Sequence, residues 1–295
     1  MLNERKELVM RRFSLVAVVL GIGAISCTGQ KLPPPEIINF RSATMLEMEI
    51  CRISAVGSLA EANAKHLRNQ NGLIRAAKNT SPQDLVDAAS GVFNASKAKP
   101  IVEATQQETQ ACSDKAAAKI ESLWPQALAA ARDQPEAKLL QNYYETWKSA
   151  LAAQRPEFKD FWFGGPGEIL GPYQKRVRAA SQLNAEAWKT LLEARMSPDH
   201  FCLEVLPTYS ISRRGDDSIA ILLSADAYDV SMDDLKSVEY EKPRIGMKKC
   251  AIMALFGKAS EIQASTDRLG VKEIWKYTNN KQVEFQDGLV KSFSN

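Results

Sequence analysis

The sequence predicts an α+β fold, an N-terminal helical bundle followed by a small C-terminal domain of helix plus antiparallel sheet. Three observations predict it. Residues 36–197 are rich in Ala, Gln, Lys, Glu and Leu, sparse in Gly and free of long β-branched runs, the composition of good helix formers. From residue 200 the texture changes to short apolar and alternating runs broken by turn residues. Near the C-terminus, Gln282-Val283-Glu284-Phe285-Gln286 alternates cleanly and leads into Asp287-Gly288, a strong two-residue hairpin turn.

The helical region divides by capping chemistry. A first helix begins just after Pro35, and Asn71-Gly72 is its expected stop. Ser81-Pro82-Gln83-Asp84 has an N-cap, a proline in the first turn and an acid in the capping-box place. Pro100 opens the next helix, which runs through Cys112 towards Leu123, and Pro125 starts a new turn or kinks it. Asp133-Gln134-Pro135-Glu136 opens another, and Asn184 caps a last one containing Trp188, Leu191 and Leu192. Leu139, Leu140, Tyr143, Tyr144 and Trp147 share one helical face. That stripe packs a bundle core or lines a ligand groove, and the core is the expectation. Phe161, Trp162 and Phe163 precede a glycine-rich stretch. They form an exposed interaction loop or fold back to close the bundle, with closure favoured.

In the region 200–295, Phe201–Val205 and Ile219–Leu223 read as a hairpin around the turn Arg213-Arg214-Gly215-Asp216-Asp217. The Arg-Gly-Asp tripeptide there is explained by turn chemistry. Lys248 to Phe256 is a well-buried helix stopped by Gly257. Three strands follow, at Val271–Thr278, Gln282–Gln286 and Leu289–Phe293, with Asn279-Asn280 turning the chain between the first two.

The length of 295 residues fits one large domain or two ordinary ones, and 45% apolar with 25% charged residues is the balance of a folded protein. Residues 1–26 have the layout of a signal peptide: Arg11 and Arg12, then the apolar run 13–25, then small residues. The run is too short for a comfortable membrane span. Met10 is an alternative start to Met1, because Glu4 and Glu7 are unusual in a basic leader. The Arg pair lacks the preceding Ser or Thr of a twin-arginine signal, so general secretion is expected. Without residues 1–26 the formal charge is close to balanced, which does not argue for nucleic acid as a partner.

Gly23-Ala24-Ile25-Ser26-Cys27 resembles a bacterial lipobox, which implies lipidation of Cys27. Ala24 stands where such motifs usually have Leu, and Ala24 with Ser26 also fits ordinary signal peptidase. The non-Asp residue Thr28 after the cysteine implies the outer membrane. Residues 27–35 then read as a lipid-anchored tether stiffened by Pro33–Pro35.

Four further cysteines, Cys51, Cys112, Cys202 and Cys250, are either free core thiols or two disulfides. Pairing within each proposed domain gives Cys51–Cys112 and Cys202–Cys250, one of three possibilities. With no C-x-x-C and only His66 and His200, no metal site is expected. No catalytic motif is present, so the chain is read as a non-enzyme with no catalytic residue and no cofactor assigned.

Residues 243–294 carry Ile245-Gly246-Met247, Leu255-Phe256-Gly257-Lys258, Glu273-Ile274-Trp275-Lys276-Tyr277, Val283-Glu284-Phe285 and Gly288-Leu289-Val290 in that order. This series resembles the SmpA/OmlA (BamE-like) outer-membrane-assembly lipoprotein domain, although Ala259 replaces the family's usual Pro. The resemblance implies a small helix-plus-sheet domain in a lipoprotein that helps assemble β-barrel proteins. The expectation is therefore a non-catalytic envelope component, held to a membrane by a lipid anchor and bound to another envelope protein, on the periplasmic face of the outer membrane. The alternative is a soluble periplasmic inhibitor or ligand-binding protein. An exposed patch on the C-terminal sheet favours partner docking, and a deep polar-lined pocket between helices favours a ligand.

Overall fold

The computed structural model describes residues 31–77, 95–157, 160, 171–209, 216–268, 270–278 and 280–294. The residues read as an export signal, Cys27, the expected helix start at Ser81-Pro82, the candidate loop residues Phe161, Trp162 and Phe163, and Arg213 to Gly215 of the expected turn lie outside the described residues.

Four long helices come first: α1 (Pro35–Ala77), α2 (Ala95–Ala129), α3 (Gln134–Ala153) and α4 (Gly171–Arg195). α1 packs along α2, and α3 along α4. Pro35 occupies the first turn of α1, where its missing N–H costs nothing, and the Pro34 carbonyl accepts from Ile37 and Ile38. α3 begins as expected, with the Asp133 carboxylate accepting from the Glu136 N–H at 2.9 Å.

Three expected boundaries are corrected, at Asn71-Gly72, Pro100 and Asn184. α1 runs through Asn71-Gly72 to Ala77, because the roughly 1 kcal/mol that Gly loses to Ala in a helix is small beside a long interhelical contact. α2 contains both Pro100 and Pro125 in its interior. Around Pro125, Trp124 stacks on Tyr144 with centroids 4.7 Å apart and Ala127 is fully buried. Packing on both sides thus offsets the lost hydrogen bond. Asn184 is no cap; it lies buried inside α4.

Beyond α4 the chain remains helical where a hairpin was expected. α5 (Pro198–His200) leads into a π-helical turn, Phe201–Val205, and a 3-10 turn, Leu206–Thr208; Ile219–Leu223 lies inside α6 (Asp216–Ala225). Short apolar runs do not distinguish a strand from a buried helix. Here Phe201, Cys202 and Leu206 point into the core and Phe201 stacks on Tyr228 at 4.2 Å. α7 (Met232–Glu239) starts with a Ser231/Asp234 capping box, and α8 (Lys249–Phe256) ends at Gly257, whose φ of +77° suits glycine.

The sheet has four antiparallel strands in sequential order: β1 (Glu261–Asp267), β2 (Gly270–Lys276), β3 (Gln282–Gln286) and β4 (Leu289–Ser294). Three of these were expected. β1 was not, because Ile262 is its one large apolar residue. Asp287 and Gly288 both have positive φ, as the expected tight turn requires. Cross-strand rows place Ile262, Trp275, Val283 and Phe293 on one face, and Ala264, Glu273, Phe285 and Val290 beside them. α8 lies on this inner face: Phe256 meets Tyr277 edge-on at 5.6 Å, and Lys249 pairs with Glu273. Leu32–Asn295 forms one compact unit, with a core cluster running from Phe40 and Trp147 through Trp188 to Phe285.

Candidate interaction surface and the polar core behind it

Both expected cysteine pairs are disulfides. Cys51–Cys112 joins α1 to α2 with Cα atoms 5.7 Å apart, and Cys202–Cys250 joins the π-helical turn to α8 at 5.0 Å.

The bundle interior holds a polar network that sequence reading missed. Arg41 on α1 is only 6% exposed. Its guanidinium lies 5.2 Å from the centroids of both Tyr143 and Trp188, a π-faced site for a cation. Nη1 donates to the Tyr143 hydroxyl at 2.9 Å and to Asn184 Oδ1 at 3.4 Å. The Asn184 amide donates in turn to the Tyr143 carbonyl and to Thr146 Oγ1, each at 3.1 Å. Thr44 bonds the Tyr143 hydroxyl, and its carbonyl accepts from the Trp147 indole at 2.9 Å. No carboxylate among the described residues pairs with Arg41. The legible trace was a run of polar residues, Arg41, Thr44 and Glu47, at helical spacing on an otherwise apolar face.

Among the described residues the buried carboxylates are all matched to cations. Glu47 meets Lys119, Glu136 meets Arg195, Asp160 meets Arg176 and Asp234 meets Arg244. Burial draws the Arg195 guanidinium down from its ordinary value, opposed by Glu136, whereas the Asp160 hydrogen bond holds Arg176 up. Burial pushes the phenols of Tyr173 and Tyr277 up to about 12. Among the described residues no group of three or more His, Cys, Asp or Glu is placed to hold a metal ion. Among the described residues, too, no helix is long and apolar enough to cross a membrane.

The surface feature that stands out is the C-terminal sheet. Its inner face extends past its cover, leaving Ile262 54% and Phe293 42% exposed at opposite ends of one cross-strand row. The outer face is polar, with Glu284 between Lys272 and Lys291 and Glu261 beside Lys276. The Lys272 hydrogen bond holds Glu284 below the usual carboxylate range, and bonds from Gln263 and Lys276 do the same for Glu261.

The two sheet edges differ. Along β4, Gly246 N–H donates to the Val290 carbonyl at 2.8 Å, Val290 N–H donates to the Met247 carbonyl at 2.9 Å, and Lys248 bridges Leu289. Residues 246–248 thus cover that edge in part. β1 pairs with β2 alone among the described strands, and Glu261 to Thr266 are all exposed.

The four internal cysteines are therefore brought together in two pairs far apart in sequence, while Cys27, Phe161, Trp162 and Phe163 lie outside the described residues. The sheet edge went unseen because its strand did. Comparison with protein-family profiles, with curated proteins and with solved structures returns no significant match, so the site's chemistry rests on this chain's own geometry.

Proposed function

We propose that the protein is an exported cell-envelope lipoprotein, anchored through Cys27, that acts as a non-catalytic binding or assembly component for another envelope protein. The observation that carries this reading is the pair of disulfides. Such bonds persist in oxidising compartments and are rare in the cytosol. They agree with a leader that ends in a lipobox-like Gly23-Ala24-Ile25-Ser26-Cys27. The exposed inner-face residues of the C-terminal sheet support docking of a partner. The resemblance of residues 243–294 to SmpA/OmlA lipoproteins makes outer-membrane protein assembly the specific role within this reading.

The test is mass spectrometry of the mature protein recovered from membranes, beside a Cys27→Ala variant. A lipid-modified N-terminal Cys27, with membrane retention lost in the variant, is the expected result. An unmodified protein in the soluble periplasm would move the soluble inhibitor or ligand-binding reading into first place.

A further inference from the structure

We infer that the open edge of β1 is a strand-addition site, which takes an extended segment of another protein with apolar residues at alternate positions and basic residues at its ends. The inference rests on the reading of the protein as a binding component and names the chemistry of what it binds.

Backbone geometry comes first. Val271 N–H donates to Asp287 Oδ1, the Val271 carbonyl accepts from Asp287 N–H, and Tyr277 N–H donates to the Lys281 carbonyl. The backbone groups of Val271 and Tyr277 therefore face β3, and by the alternation of an antiparallel ladder so do those of Glu273 and Trp275. Lys276 faces β1, where its carbonyl accepts from Ser260 N–H at 2.8 Å. Asp267↔Gly270 closes the hairpin and Thr266 stands opposite Val271, Ala264 opposite Glu273 and Ile262 opposite Trp275. The N–H and C=O groups of Ile262, Ala264 and Thr266 consequently point away from the sheet. They form a row of donors and acceptors at the spacing another strand requires.

Edges of this kind are normally blunted by Lys, Pro, a bulge or a covering segment. β4 is covered in part by residues 246–248 and carries the sheet's register shift, between Glu284 and Phe285 on its partner. β1 has seven residues, no Lys, no Pro and unbroken register with β2. Cover and register shift are thus applied to one edge and withheld from the other, which carries only the end charges Glu261 and Asp267.

Side chains define the occupant. Ile262, Ala264 and Thr266 share the inner face, where an added strand would set apolar side chains beside Ile262 and extend the row that ends on it. The strand carries Glu261, which lies beside Lys276 of β2, and Asp267 at its two ends, and no cation of its own. Opposite charges across strands are favourable and like charges are not. Two β1 strands paired about Ala264 would set Glu261 against Asp267, so charge favours a basic-flanked foreign segment over a second copy of this chain.

The test uses the full mature protein and the capped heptapeptide Lys-Val-Thr-Val-Thr-Val-Lys, with Glu-Val-Thr-Val-Thr-Val-Glu as its charge-reversed control. Isotope-labelled protein should show saturable binding of the basic peptide, with new amide-exchange protection confined to Ile262, Ala264 and Thr266. Ile262→Lys, a change at an exposed site that leaves folding intact by circular dichroism, should weaken binding at least about tenfold. Ala264→Pro, which removes one outward N–H, should do the same, and the acidic peptide should bind more weakly than the basic one. Absence of saturable binding to the folded protein, protection elsewhere, or equal binding of both peptides would overturn the proposal. So would a concentration-dependent dimer by sedimentation that Ile262→Lys dissolves. Lipidation of Cys27 is measured separately, so the loss of this edge's role and the loss of the envelope reading are distinguishable.

Discussion

Arg41 on α1 donates to the hydroxyl of Tyr143 on α3 across 2.9 Å, within a core where no carboxylate among the described residues balances its charge. The cation is held by two ring faces, one hydroxyl and one amide oxygen. Removing the hydroxyl leaves Nη1 with the longer Asn184 contact alone. Tyr143→Phe should therefore destabilise the protein by about 1–3 kcal/mol, the cost of leaving a buried polar group short of a partner. In urea the midpoint should fall with the slope unchanged. An unaltered midpoint would show that the Asn184 contact and the two ring faces suffice.

The disulfides join residues 61 and 48 positions apart. Closing loops of that size restricts the unfolded chain, so each double Cys→Ala replacement should cost about 2–5 kcal/mol. Thermal unfolding of the Cys51→Ala/Cys112→Ala and Cys202→Ala/Cys250→Ala proteins measures this. A reductant should lower the wild-type midpoint and leave the protein lacking all four cysteines unmoved.

Gly270 begins β2 at a φ of +119°, and a Cβ there would clash with the Asp287 carboxylate. That carboxylate is also the acceptor for Val271 N–H at 2.9 Å. Gly270→Ala must strain the backbone and displace Asp287, at a cost of about 1–3 kcal/mol. Loss of amide protection at Val271 before the rest of the sheet would locate the damage. Wild-type stability in this variant would contradict it.

Glu273 faces α8 from the inner side of the sheet. Burial pushes its carboxyl up, but Lys249 and the Trp275 indole bond it and together hold it below the usual range. A carboxylate depressed by folding stabilises the fold above its unfolded value and loses that contribution as pH falls through the folded one. The contribution should be complete at neutral pH and decline below about pH 4.3. Glu273→Gln should flatten the pH dependence of stability in that acidic window. A carbon-13 titration of the carboxyl with a midpoint at or above the free value would reject this account.

What the sequence made legible was local chemistry. Asp133-Gln134-Pro135-Glu136 and Asp287-Gly288 act within four residues, and both behave as they read. The stripe Leu140, Tyr143, Tyr144 and Trp147 is buried because helical periodicity needs no knowledge of the partner face. Asn184 misled because an asparagine suited to capping is equally suited to bridging Tyr143 and Thr146 inside a helix, and only the neighbouring helix decides. β1 was invisible for a different reason. An exposed edge strand has no buried face to impose an apolar alternation, so the residues of greatest interest for docking left the weakest pattern.

Among the described residues the core has two parts. Phe40, Cys51, Ala116 and Ile120 belong to the large cluster, whereas Ala55, Leu59, Ala62, Val102, Tyr173 and Val177 form a small separate one. Cys51–Cys112 stands at the boundary along both α1 and α2. Helical continuity alone would let an opening at the small cluster travel down the pair, but the covalent link holds the two helices together where the large cluster begins. An opening that starts at the small cluster is therefore confined to that side of the link. Along a single helix, amides after Cys51 should exchange by this partial opening and those before it only by global unfolding.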